Sequence, residues 1–128
     1  MIVFPNSGYD SFLSTNDADT YFEARLHSDD YIIADSDVQE AALVTAFHSL
    51  MELDITIDPT DTAQVQALKN AQCEQALHEL KEDLDSQNLN YFALQGIQAT
   101  KKELPRYSPR AMAILRPYLS APVFKVVR

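Results

Sequence analysis

Apolar residues recur at helical spacing through the longest stretch without Pro or Gly, residues 61–84. There Val65, Leu68, Cys73, Ala76, Leu77, Leu80 and Leu84 fall on one side when stepped at about 100° per residue. The pattern predicts one long amphipathic helix. Its apolar arc covers roughly half the cylinder, wider than the stripe of about 100° that a one-sided surface helix needs, so other elements are expected on more than one flank. Two polar residues, Lys69 and Gln72, lie within that arc. Either Lys69 carries its ammonium out to water while Gln72 bonds to a loop, or both are satisfied across a boundary with a neighbouring copy of the chain.

Shorter patterns flank this helix. The first four residues are apolar and partly β-branched, and the turn cluster Pro5-Asn-Ser-Gly8 follows, which predicts an edge strand or an arm that pairs with another extended piece. Ser14-Thr-Asn-Asp17 reads as a capping box in which the Ser14 hydroxyl accepts from the Asp17 amide, with Leu13 stapled onto Ala18. The helix so started carries Ala18, Tyr21, Phe22 and Leu26 inward and ends near His27. Tyr31, Ile32 and Ile33 form an apolar knot in a polar loop and are expected to plug the space under the helices.

Asp35-Ser-Asp37 offers N-caps for the next helix, with Glu40 complementing the dipole in its first turn. Leu43, Phe47, Leu50 and Met51 make the bulky face of that helix, while Ala41, Ala42, Thr45 and Ala46 make a smooth one that lets a backbone come close. Asp61 or Thr62 then caps the long helix. From Tyr91 to Leu104, within a segment spanning 86–107, Gly96 and the β-favouring residues predict extended structure or a ragged hairpin. Ser108-Pro109 supplies an N-cap and a Pro at the first helical position, predicting a short helix with Met112, Ile114 and Leu115 that stops around Arg116-Pro117.

Together these elements predict a mainly α fold, a compact bundle of about four helices with a small extended or hairpin segment. Residues 1–119 form one domain with an N-terminal arm at 1–13, and residues 120–128 form an extended tail. A chain of 128 residues fits one domain, and at this size about two thirds of the unfolded surface is buried. No apolar run approaches the roughly 18 residues of a membrane span, and the start lacks a basic, long-apolar leader, so a soluble, unsecreted protein with no membrane partner is expected.

Charge changes the picture more than composition does. The formal charge of −9 is unevenly spread: residues 1–62 hold thirteen carboxylates against Arg25 alone, while from residue 86 onward seven bases face only Glu103. A molecule this polar can stack head to tail or dock a partner of opposite charge. Lys101, Lys102, Arg106, Arg110 and Arg116, with Tyr107, Tyr118 and Phe124 interleaved nearby, are the candidates for contact with a partner or nucleic acid. The last residues, Pro122, Val123, Phe124, Lys125, Val126, Val127 and Arg128, mix apolar and basic side chains, as suits a strand or plug inserted into a neighbouring protein.

Catalytic signatures are absent, and no enzyme is expected. His27, His48 and His78 lie in separate stretches and there is no Cys pair, which gives a zinc site little support. Two glycines, Gly8 and Gly96, exclude a phosphate-cradling loop. Helix caps account for Asp29-Asp30 and Asp35-Ser-Asp37 better than a cation does. Cys73, on the apolar helix face, reads as a buried thiol. No cofactor is nominated.

Four stretches, in order and spacing, carry a family resemblance. They are the run from Ser11 to Arg25, Gln39-Glu-Ala-Ala-Leu43, the run from Lys69 to Leu77, and Ser108-Pro-Arg-Ala with Leu115-Arg-Pro-Tyr-Leu119. The chain resembles a group of small tailed-phage proteins that often go by the name of DnaT-like single-stranded-DNA-binding protein and that look like head-to-tail adaptors seated on the portal ring. It departs from the common pattern in having Tyr31 where a Trp is usual after the first helix, and in the segment 86–107. The resemblance implies a compact helical domain, a ring, usually twelvefold, between portal and tail, nozzle or stopper protein, and an axial channel through which double-stranded DNA passes without sequence-specific binding. It also implies a place in the neck of the virion and a C-terminal tail that reaches into or around the portal. The other function the resemblance brings, single-stranded-DNA binding in replication, fits a pI of about 4.5 less well.

Overall fold

The computed structural model describes residues 1–94 and 105–119, with the side chains of 82–94 left aside. Five α-helices follow one another: α1 (Thr15–Glu23), α2 (Asp29–Ile32), α3 (Ser36–Met51), α4 (Thr62–Leu94) and α5 (Pro109–Leu115), the last continued by a 3-10 turn, Arg116–Tyr118. The fold is mainly helical, as the periodicity predicts. Extended pairing among the described residues is confined to two isolated bridges, Val3 with Ser11 and Ile55 with Leu119.

The long helix is the axis. Asp61 caps it, its Oδ1 accepting from Ala63 N at 2.9 Å and Gln64 N at 3.3 Å. All seven residues from Ala71 to Leu77 are buried, two full turns enclosed on every side. The expectation of neighbours on more than one flank is thus exceeded. On one side α3 lies along α4, with Ala42 and Ala46 of the expected smooth face buried, while Ala41 and Thr45 of that face are exposed. On another α5 packs against α4, and α1 and α2 close the rest.

Two apolar clusters line the axis. One gathers Leu13, Ala18, Phe22, Tyr31, Leu43, Cys73 and Leu77 around the first half of α3. The other gathers Phe12, Phe47, Leu50, Leu68, Ala111 and Leu115 around its second half. Residues 1–13, expected to form an edge strand or an arm that pairs with an extended piece, turn back on themselves, Val3 bridging to Ser11 and Phe4 N donating to Ser11 O at 2.8 Å. Phe12 and Leu13 are buried there, one in each cluster.

Several expectations are corrected. α1 stops at Glu23, and the turn after it passes through His27 at φ 61°, so helical spacing breaks before Leu26, which stands 79% exposed rather than inward. The apolar knot is a single helical turn, α2, of which Tyr31 alone enters the core while Ile32 and Ile33 face solvent. Asp35 occupies the N-cap of α3 without a side-chain bond to the helix, and Met51 lies exposed beyond the bulky face. Residues 91–94, read as extended, continue α4. The remainder of that prediction, 95–104, lies outside the described residues.

Candidate interaction surfaces

Three polar side chains within the enclosed stretch of α4 each latch a different element. The Gln72 amide accepts from Phe12 N at 2.8 Å and donates to Ser11 Oγ and Leu43 O, both at 2.9 Å. Its bond to a loop is seen within one chain, with both amide hydrogens donated and the side chain fully buried. Gln75 does the same for the other end of the sequence, accepting from Ser108 N at 2.7 Å and donating to Arg106 O at 3.0 Å. Lys69 is half-buried on the same helix.

Glu74 is the third latch. Its side chain is 3% exposed and receives two bonds from Arg25, at 2.7 and 2.9 Å, and one from the Tyr21 hydroxyl. Burial is the largest single influence and works to raise its pKa, but the bonds from Arg25 and Tyr21 and the charge of Arg25 outweigh it and hold the carboxyl below its ordinary range. Burial, then the bond to Glu74, pushes the Tyr21 phenol up. Arg25, the only base in the first 62 residues, is therefore committed to the core.

The basic candidates do not form one stripe. Arg106 bonds to Glu52 and stands 5.3 Å over the Tyr107 ring. Arg110 lines a cleft of about 250 Å³ with Arg25, Glu74, His78, Lys81 and Ser108. Arg116 is exposed beyond α5, in the 3-10 turn. Lys101, Lys102 and residues 122–128 lie outside the described residues.

A surface that the sequence reading did not single out lies around α2. Leu26 and Ile33 are 79% and 78% exposed, Ile32 and Val38 49% and 44%. The turn that holds Leu26 out is braced: the Arg25 guanidinium donates to the Leu26 carbonyl, and Ser28 Oγ donates to Phe22 O at 2.7 Å and Arg25 O at 3.0 Å. Gln39 ties α3 to α2 through Tyr31 O at 2.8 Å. Beside this apolar face is a cleft of about 230 Å³ lined by Asp19, Phe22, Glu23, Tyr31, Ile32 and Gln39. The signal available in the sequence was Ile32 and Ile33 among Asp29, Asp30, Asp35 and Asp37, where an apolar pair can face outward as readily as inward.

Cys73 is fully buried and burial, then the neighbouring Glu74 charge, pushes its thiol up, the opposite of what a nucleophile needs. Among the described residues no three His, Cys, Asp or Glu side chains converge as a metal site, and no helix is long and apolar enough to cross a membrane. No protein-family model matches the chain, and no curated protein or solved structure shows significant similarity to it.

Proposed function

We propose that this protein is a structural component of a phage virion, a head-to-tail adaptor that assembles as a ring on the portal and continues the DNA channel toward the tail. The observation that carries the reading is the pairing of a closed core with an open apolar face. Leu43, Ala42 and Ala46 of α3 are buried, yet Val38 in its first turn, Ile32 and Ile33 at the end of α2, and Leu26 on a braced turn are held out to solvent among carboxylates. Such a face is a contact surface waiting for a protein. Along the sequence the charge is polar, acidic over residues 1–62 and basic from residue 86 onward, and a heterologous ring contact joins two unlike surfaces.

The adaptor reading also draws on the ordered motifs shared with small phage proteins. It puts the protein in the virion neck, with portal on one side and tail, nozzle or stopper on the other, and assigns it no catalysis. Mixing the purified chain with isolated portal rings and imaging by negative stain tests it: an added ring layer on the portal is expected. Portals that remain bare across a concentration series overturn the proposal.

A further inference from the structure

We propose that the apolar face of Leu26, Ile32, Ile33 and Val38, with the acidic cleft beside it, holds the C-terminal segment of a second copy of this chain. The inference deepens the adaptor reading by naming what closes the ring.

The occupant follows from chemistry. Six carboxylates, Asp19, Glu23, Asp29, Asp30, Asp35 and Asp37, lie within the same twenty or so residues as the apolar face, and the only cation among them, Arg25, is committed to Glu74. The face therefore calls for a ligand both apolar and cationic. One segment of the chain has that composition, residues 122–128, where Val123, Phe124, Val126 and Val127 accompany Lys125 and Arg128 with no acid. Bound in an extended form, it would put Phe124, Val126 and Arg128 on one side, two apolar groups for Ile32 and Ile33 and a guanidinium for the cleft of Asp19 and Glu23.

Geometry favours a neighbour over the chain's own tail. Leu119, from which the tail departs, pairs with Ile55 just past the end of α3, whereas the face lies at the first turn of α3 and before it. The two belong to opposite halves of the core. α3 is about 24 Å long, and Phe124, five residues on from Leu119, reaches at most about 18 Å. At full stretch Phe124 of a chain's own tail thus covers less than the length of α3. With donor and acceptor at opposite ends, each copy can give its tail to one neighbour and receive another's, which propagates until a ring closes.

Two full-length variants test this, one with Leu26→Ser and Ile33→Ser on the face, the other with Phe124→Ser and Lys125→Glu in the tail. Both face residues are largely exposed, so the melting temperature of the first variant should match that of the unaltered protein. In sedimentation velocity the unaltered chain should self-associate with rising concentration, and each variant alone should do so at least tenfold more weakly. Mixed together, the variants should form 1:1 pairs and nothing larger, because one still has a face and the other a tail. An unaltered chain that is monomeric throughout, a variant that still self-associates, or a mixture without pairs overturns the proposal. The same proteins on portal rings separate this from the adaptor reading. Portal layers without self-association sink the tail assignment alone, and self-association without portal layers sinks the adaptor reading alone.

Discussion

Tyr31 is fully buried, its ring stacked on Phe22 with centroids 4.1 Å apart, yet its hydroxyl has no partner. Burial, and then the charge of Asp19, pushes the phenol up. A buried hydroxyl without a hydrogen bond costs about 1–3 kcal/mol. Tyr31→Phe keeps the stack and removes the cost, so it should stabilise the protein by about 1 kcal/mol, read as a higher denaturation midpoint; a lower one would mean the hydroxyl is bonded after all. Glu74 is the opposite case, a buried charge fully served. Removing its partner with Arg25→Ala strands that charge and should cost about 3 kcal/mol by chemical denaturation, the low end for buried pairs because Arg25 keeps some exposure. The pH dependence has a definite sign. Since the folded carboxyl titrates below its ordinary value of 4.5, the unfolded chain takes up the proton first, and the stabilisation is present above that value and lost as pH falls through the folded one. Glu74→Gln should lower stability at neutral pH and flatten its acid dependence below about pH 4.5; an unchanged slope of midpoint against pH would rule this out.

At the scale of elements, α4 acts as an axis because its polar side chains are bonded to what surrounds it. Gln72→Leu would keep the volume but leave Phe12 N–H buried without a partner and remove the second bond to Leu43 C=O, which keeps its helical one, and should cost about 2 kcal/mol, about twice the effect of Ser108→Ala at the cap of α5, about 1 kcal/mol. Equal costs in denaturant titrations would show that the Gln72 latch is dispensable. Local chemistry made much of this readable in advance: Ser14, Asp61 and Ser108 cap the helices they were expected to cap, since a cap is decided within four residues. Gln72 was conspicuous because it interrupts an apolar arc. Glu74 and Gln75 were not, because they lie on the polar side of α4, buried only by tertiary wrapping from α1 and the entry to α5. The continuation of α4 through 91–94 is not legible in the sequence for a related reason: a helix already formed adds residues at little cost, so β-favouring Tyr91 and Phe92 do not stop it. The exposed Leu26 breaks the helical register because α1 ends at Glu23, three residues before it, a stop that no Gly or Pro marks in the sequence.

For the whole molecule the decisive quantity is charge and where it lies. A nucleic-acid binder gains affinity by neutralising phosphates, with binding that strengthens steeply as salt is lowered. Here the carboxylates of the first 62 residues are opposed by one committed Arg25, and of the described bases proposed for contact Arg106 is taken by Glu52. Arg110 shares its cleft with Lys81 and the Arg25–Glu74 pair, and Arg116 is in the 3-10 turn after α5. With a formal net charge of −9 the chain repels a polyanion, which suits the channel wall of the proposed adaptor. Neither single-stranded nor duplex oligonucleotide should be retarded by the protein at tens of micromolar, even at about 50 mM salt, where phosphate contacts are strongest. Binding that appears at low salt and fades as salt is raised would favour the replication-type reading, and Arg110→Glu with Arg116→Glu would then have to abolish it.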